Sequence, residues 1–173
     1  ALGTLPTPVL EGYVFDGWAE NTSGTPVYAD DGSILKSERL DDDVLTLYAK
    51  WKPVTYIIRF DSNGGERIME DETFSFGSSK TLPKNNFYKA GYIFCGWSTE
   101  TDGAVLYEDG AEVENLSRSQ GDVIRLYAVW ESLIVKNVTA KQRYPWNGKV
   151  DITFEVESDA PIGLSLDGKA SIV

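Results

Sequence analysis

The sequence predicts a mainly β protein of the α+β kind: two tandem copies of one small module with at most one short helix each, then a strand-rich C-terminal segment. Three observations carry that prediction. A long block recurs at a fixed offset, apolar and polar residues alternate with the period of two that strands impose, and Asn-Gly and Gly-rich turns punctuate the alternating runs.

The recurrence is specific. Gly12-Tyr13-Val14-Phe15-Asp16-Gly17-Trp18 returns 79 positions later as Gly91-Tyr92-Ile93-Phe94-Cys95-Gly96-Trp97, and Leu47-Tyr48-Ala49-Lys50-Trp51 returns at the same offset as Leu126-Tyr127-Ala128-Val129-Trp130. Residues 12–51 laid on 91–130 share 16 identities without a gap, Gly24/Gly103, Tyr28/Tyr107 and Arg39/Arg118 among them. The pattern does not return past Trp130, and there the charge changes too: five acids and five bases cancel in 132–173, whereas the repeats are acidic. The expected modules are therefore 1–53, 54–131 and 132–173. Copy two has a longer lead before its Gly-Tyr block than copy one. If repeats keep a common length, about 26 residues are missing in front, and Ala1 begins mid-module. Copy one is accordingly expected to have an open sheet edge, while 54–131 folds by itself.

In copy one, Gly12–Trp18 and Leu45–Trp51 supply strands, with Leu47, Ala49 and Trp51 on one face. Copy two opens with Val54, Tyr56, Ile58 and Phe60 alternating against more polar neighbours, a strand that Asn63-Gly64-Gly65 ends. Asn-Gly favours positive φ at both central turn positions, so a hairpin toward a second strand near Thr73–Phe76 follows. A Pro83 loop leads to a strand at Tyr92–Trp97. Val113 and Leu116, three apart with Gly121 behind, suggest one short helix within 111–119. Val123–Trp130 is the last strand, with Leu126, Ala128 and Trp130 expected in the core beside their copy-one counterparts. In the tail Val150, Ile152, Phe154 and Val156 alternate with polar residues, which predicts a strand with one buried face.

Composition narrows the chemistry. The chain has no histidine, so a Ser-His-Asp or Cys-His nucleophile pair and an HExxH zinc site are excluded. A net charge of −11 and a pI near 4.4 argue against nucleic acid and anionic membrane surfaces. Cys95 is the single cysteine and has no disulfide partner in the chain. No run reaches the roughly 18 apolar residues of a membrane span, and a signal peptide is not evident at the front.

Phe60-Asp61-Ser62-Asn63-Gly64-Gly65, Gly91–Trp97 and Leu126–Trp130, in that order, resemble the Listeria-Bacteroides repeat, the internalin B-type B-repeat. Copy two carries all three blocks; copy one carries the second and third. Cys95 departs from the polar residue usual at its position, where Asp16 fits. The resemblance covers about 120 residues. It implies a β-grasp-like module strung in tandem on secreted or cell-surface bacterial proteins as spacer, stalk or adhesive segment, with the start of a β-sandwich-like module behind it.

Each candidate site has a plainer reading. Asp61-Ser62-Asn63-Gly64 begins like a calcium loop, but the remaining ligand positions are missing, and a hairpin turn is the better reading. The repeated Trp18, Trp97, Trp51 and Trp130, with Gly17 and Gly96 beside the first pair, suit core packing better than sugar stacking. Trp146, in a Pro-Trp-Asn-Gly turn, is the one aromatic retained as a possible ligand contact. Cys95 alternates with Ile93 and Trp97 and reads as a buried, inert thiol. No catalytic, metal or cofactor site is expected. The resulting expectation is a non-catalytic repeat, spacer or adhesive segment of a secreted or cell-surface bacterial protein; the alternative is an ancillary carbohydrate-binding segment of an extracellular enzyme. The expected partners are adjacent repeat modules and a host or cell-surface protein or glycan, with no nucleic acid and no membrane insertion by this segment.

Overall fold

The computed structural model describes residues 5–29, 44–145 and 148–157. Ten strands follow in chain order: β1 Tyr13–Ala19, β2 Tyr48–Pro53, β3 Thr55–Asp61, β4 Glu72–Ser75, β5 Lys80–Thr81, β6 Tyr92–Ser98, β7 Glu112–Val113, β8 Val123–Ser132, β9 Ile134–Gln142 and β10 Val150–Glu157. They form a four-stranded sheet in the order β4-β3-β8-β6 and three two-stranded ones, β1-β2, β5-β7 and β9-β10. The fold is mainly β, and no helix occurs among the described residues.

Two compact units divide the chain, one made of Ala1–Arg59, Glu70–Leu82 and Ala111–Arg125, the other of Phe60–Met69, Pro83–Gly110 and Leu126–Val173. In the first, β3 pairs antiparallel with β4, and Tyr56 stacks on Phe74 with centroids 5.9 Å apart. Ala19, Val54, Tyr56, Ile58, Phe74, Leu82 and Val113 are its buried apolar residues. Each such side chain taken from water contributes about 1.5–3 kcal/mol, which is what holds these short strands together. In the second, Trp97 is fully buried, with Phe94, Phe60 and Phe87 rings at 4.9, 5.0 and 6.0 Å. Leu126 and Ala128 are fully buried beside them.

The expected helix at 111–119 is replaced by β7 and a bent segment. Val113 pairs with Lys80 instead of turning toward Leu116. Asn115 has φ of 55°, which breaks a right-handed helix, and its side-chain oxygen accepts the Gly77 N–H. Ser117 Oγ then accepts the Ser119 N–H and donates to Asp122, competing locally with helical bonding.

Burial departs from the face patterns in two places. Leu126 and Ala128 are buried as expected, but Trp130, Leu47, Ala49 and Trp51 are half-buried. In the tail, β10 forms at the expected residues and pairs antiparallel with β9, yet Val150, Ile152 and Phe154 are exposed. The alternation set the strand and its two faces; burial also requires a second layer, and none of the described residues provides one there.

Candidate functional site

The three sequence blocks meet in the second unit. After β3 the chain reverses in a turn closed by the Gly65 N–H to the Ser62 carbonyl at 3.0 Å, with φ of 48° at Asn63 and 83° at Gly64. These are the two positive central angles of a type I′ turn, as Asn-Gly predicts. The turn does not join β3 to β4 directly, because residues 62–71 intervene. Asp61 Oδ1 accepts the Asn63 N–H at 3.0 Å and so helps hold the bend.

From that bend Asn63 reaches into the other two blocks. Its Nδ2 donates to the Thr101 carbonyl at 2.7 Å, just past the Gly91–Trp97 block, and to the Ala128 carbonyl at 3.0 Å within the third. The Ser62 carbonyl accepts the Trp130 indole N–H at 2.7 Å, and Phe94 meets Trp130 edge-on at 5.7 Å. Ser62 Oγ donates to the Gly65 carbonyl. The sequence reading placed the turn but missed the reach of Asn63, because both of its acceptors are backbone carbonyls, which no residue type marks.

Within the β6-β8 pair the register runs Phe94↔Trp130, then Gly96↔Val129 and Trp97↔Ala128, so Cys95 is the extra residue of a β-bulge. Gly96 has φ of 147°, and a Cβ there would stand 2.6 Å from the Tyr107 carbonyl oxygen, so only glycine fits. That close approach lets the Trp97 N–H donate to the Tyr107 carbonyl at 2.8 Å. Cys95 is half-buried, with Sγ 3.7 Å from Glu131 Oε2; burial first, and the Glu131 charge second, push its thiol above the ordinary range. A thiol raised in this way is a poor nucleophile.

A shallow depression of about 370 Å³ lies over the junction, lined by Asn63, Lys89, Thr101, Asp102, Gly103, Val129 and Trp130. Three of the groups lining it are engaged within the protein: Asn63 and Trp130 as above, while the Lys89 ammonium sits 4.5 Å over the Tyr92 ring. Among the described residues no three His, Cys, Asp or Glu side chains cluster as metal ligands would. Trp146 lies outside the described residues. The arrangement joins the motif blocks to one another, which defines the protein as one of tandem β repeats whose signature residues hold the module together.

The Listeria-Bacteroides repeat domain matches residues 1–50 and 56–129, and the chain belongs to that family. Two proteins of Evansella cellulosilytica are similar to it. One, named "Putative Gly-rich membrane protein", is 31% identical over 125 residues, 72% of this chain and 13% of that protein. The other, named "Putative membrane protein", is 30% identical over 129 residues, 72% of this chain and 18% of that protein. This chain thus spans less than a fifth of either relative. No solved structure matches it.

Proposed function

We propose that the chain is a non-catalytic repeat segment, serving as spacer or adhesive stalk, of a secreted or cell-surface bacterial protein. The observation that carries this reading is the use to which the repeat motif is put: Asn63 bonds to the Thr101 and Ala128 carbonyls, Trp130 to the Ser62 carbonyl, and Phe94 packs on both Trp97 and Trp130, so the signature residues tie the three blocks to one another. The names of the two Evansella proteins, both described as membrane proteins, support a surface location, and their lengths suit a repeat segment within a much larger chain. Host or surface proteins, or glycans, are the partners such a stalk would present itself to.

Antibodies raised against this segment should label intact cells that make the parent protein, and protease treatment of those cells should remove the label. Labelling only after lysis would sink the surface reading. The rival reading, ancillary sugar binding, predicts hits on a glycan array with saturable quenching of tryptophan fluorescence at micromolar to millimolar sugar. Such quenching would replace the spacer reading with the binding one.

A further inference from the structure

The two copies are joined by a single residue. β2 ends at Pro53 and β3 begins at Thr55, and both backbone polar groups of Val54 between them are occupied. Its N–H donates to the Gly12 carbonyl at 2.9 Å, its carbonyl accepts the Phe76 N–H at 2.9 Å, and its side chain is 3% exposed. Val54 thus pins the Gly-Tyr block of copy one to the end of β4 in copy two.

Side chains reinforce the pin. The Tyr13 ring meets Phe76 edge-on with centroids 5.6 Å apart. Gly12 packs so closely on Phe76 that a Cβ would stand 2.4 Å from the ring. Glu11 pairs with Arg118 at 3.1 Å. Both members of that ion pair are well exposed, so it orients the junction more than it stabilises it, and the aromatic contact supplies most of the adhesion. The first compact unit accordingly runs through residues 53 and 54 without a break.

We infer that Phe76, flanked by Val54 and Arg118, is a docking surface for the Glu-Gly-Tyr block of the preceding repeat, and that it makes the junction between repeats stiff. The occupant is residues 11–13 here and the matching block of any repeat placed in front. The second junction is a built-in control. Leu133 is again a one-residue linker, and its N–H donates to the Gly91 carbonyl at 2.8 Å. The counterpart of Glu11, however, is Ala90, and the residue 79 positions beyond Phe76 is Glu155. Tyr92, the counterpart of Tyr13, remains 43% exposed. Behind copy two the pin persists and the docking surface is lost, so that joint should be loose.

Nitrogen-15 relaxation on the whole chain tests both joints. Amides of β1 and of β3 and β4 should report one shared rotational correlation time, and those of β9 and β10 a shorter one. Tyr13→Ala should free copy one, bringing its correlation time down toward that of the tail. Phe76→Ala should do the same from the other side, with no further release when the two are combined. The Trp18–Tyr28 amide contacts show that the freed hairpin remains folded; if Tyr13→Ala unfolds it, Phe76→Ala leaves the sequence of copy one untouched and gives the same reading. Independent motion of copy one in the unaltered chain would overturn the inference, as would a shared correlation time that survives both substitutions.

Discussion

The β1-β2 hairpin and the β6-β8 pair are the same structure in different surroundings. Phe15↔Trp51, Gly17↔Lys50 and Trp18↔Ala49 repeat Phe94↔Trp130, Gly96↔Val129 and Trp97↔Ala128, with the bulge at Asp16 in one and Cys95 in the other. The Trp18 N–H donates to the Tyr28 carbonyl at 2.8 Å, as Trp97 does to Tyr107. Both copies even bury an indole N–H without a protein acceptor, at Trp18 and Trp97. Yet Trp97 is fully buried and Trp18 only half. Strand register is a local property, set by the Gly-Tyr and Leu-Tyr-Ala blocks and the bulge glycine. Burial comes from elsewhere: Phe60 and Phe87 cover Trp97, and residues 1–11 hold no counterpart of the Phe60–Gly65 block.

The sharpest way to break this comparison is to delete the indole in each copy. Trp97→Ala should cost about 3–5 kcal/mol, the range for a buried aromatic that leaves a cavity. Trp18→Ala should cost clearly less, because its ring retains solvent contact. Urea denaturation, with hydrogen exchange followed separately in residues 12–51 and 91–130, gives both values. Equal losses would mean that the two rings are equally covered in solution.

A smaller effect should come from the Asn63-Gly64 turn of copy two. Asn63→Ala removes two donors from the Thr101 and Ala128 carbonyls, and hydrogen bonds of this kind contribute about 0.5–1.5 kcal/mol each. Copy one satisfies the Thr22 carbonyl differently, with the Lys50 ammonium. Lys50→Ala, which removes one such bond from a half-buried side chain, should therefore change urea stability less than Asn63→Ala. The reverse order would show that the Asn63 amide is not what joins the blocks.

This contrast also explains what the sequence could disclose. The 79-residue offset carried over into three dimensions because register, bulge and turn depend on residues a few positions apart. The helix expected at 111–119 failed because a spacing of three is shared by helices and by chains that bend, and the deciding group, the Gly77 N–H capped by Asn115, lies 38 residues away. Leu47, Ala49 and Trp51 share a face as read, but a face becomes a core only when something covers it. The reach of Asn63 to Thr101 and Ala128 spans 38 and 65 residues, and no periodicity reports a contact at that range.

Acid should separate a surface pair of copy two from its core. Arg59 grips Asp71 through both carboxylate oxygens, and that hydrogen bonding holds the Asp71 carboxyl below the usual range. A carboxylate depressed in the folded state stabilises it above the unfolded pKa, near 4, and the benefit fades as pH falls through the folded value. Both groups lie at the surface, so the contribution is small and salt-sensitive. Asp71→Asn should flatten the low-pH limb of the urea midpoint against pH while leaving the neutral midpoint nearly unchanged. An unaltered limb would assign the acid response to other carboxylates.

The smallest expected effect concerns the bulge itself, where the copies differ in charge. In copy one Asp16 faces Lys52 at 2.5 Å; in copy two the same two positions hold Cys95 and Glu131. Burial and the Glu131 carboxylate both disfavour the thiolate, so Cys95 should react with a disulfide reagent more slowly than an unfolded cysteine at neutral pH. Glu131→Lys gives copy two the cation that copy one has at this place. It removes the repelling charge and supplies an attracting one, so the pH midpoint of the reaction should fall, and each unit of that fall raises the thiolate fraction about tenfold below the midpoint. Global stability should hardly move, because the pair is partly open to water and the bulge is fixed by Gly96. A rate and midpoint unchanged by Glu131→Lys would mean that burial alone holds the thiol protonated, and that the charge exchanged between the copies has no bearing on the chemistry at the bulge.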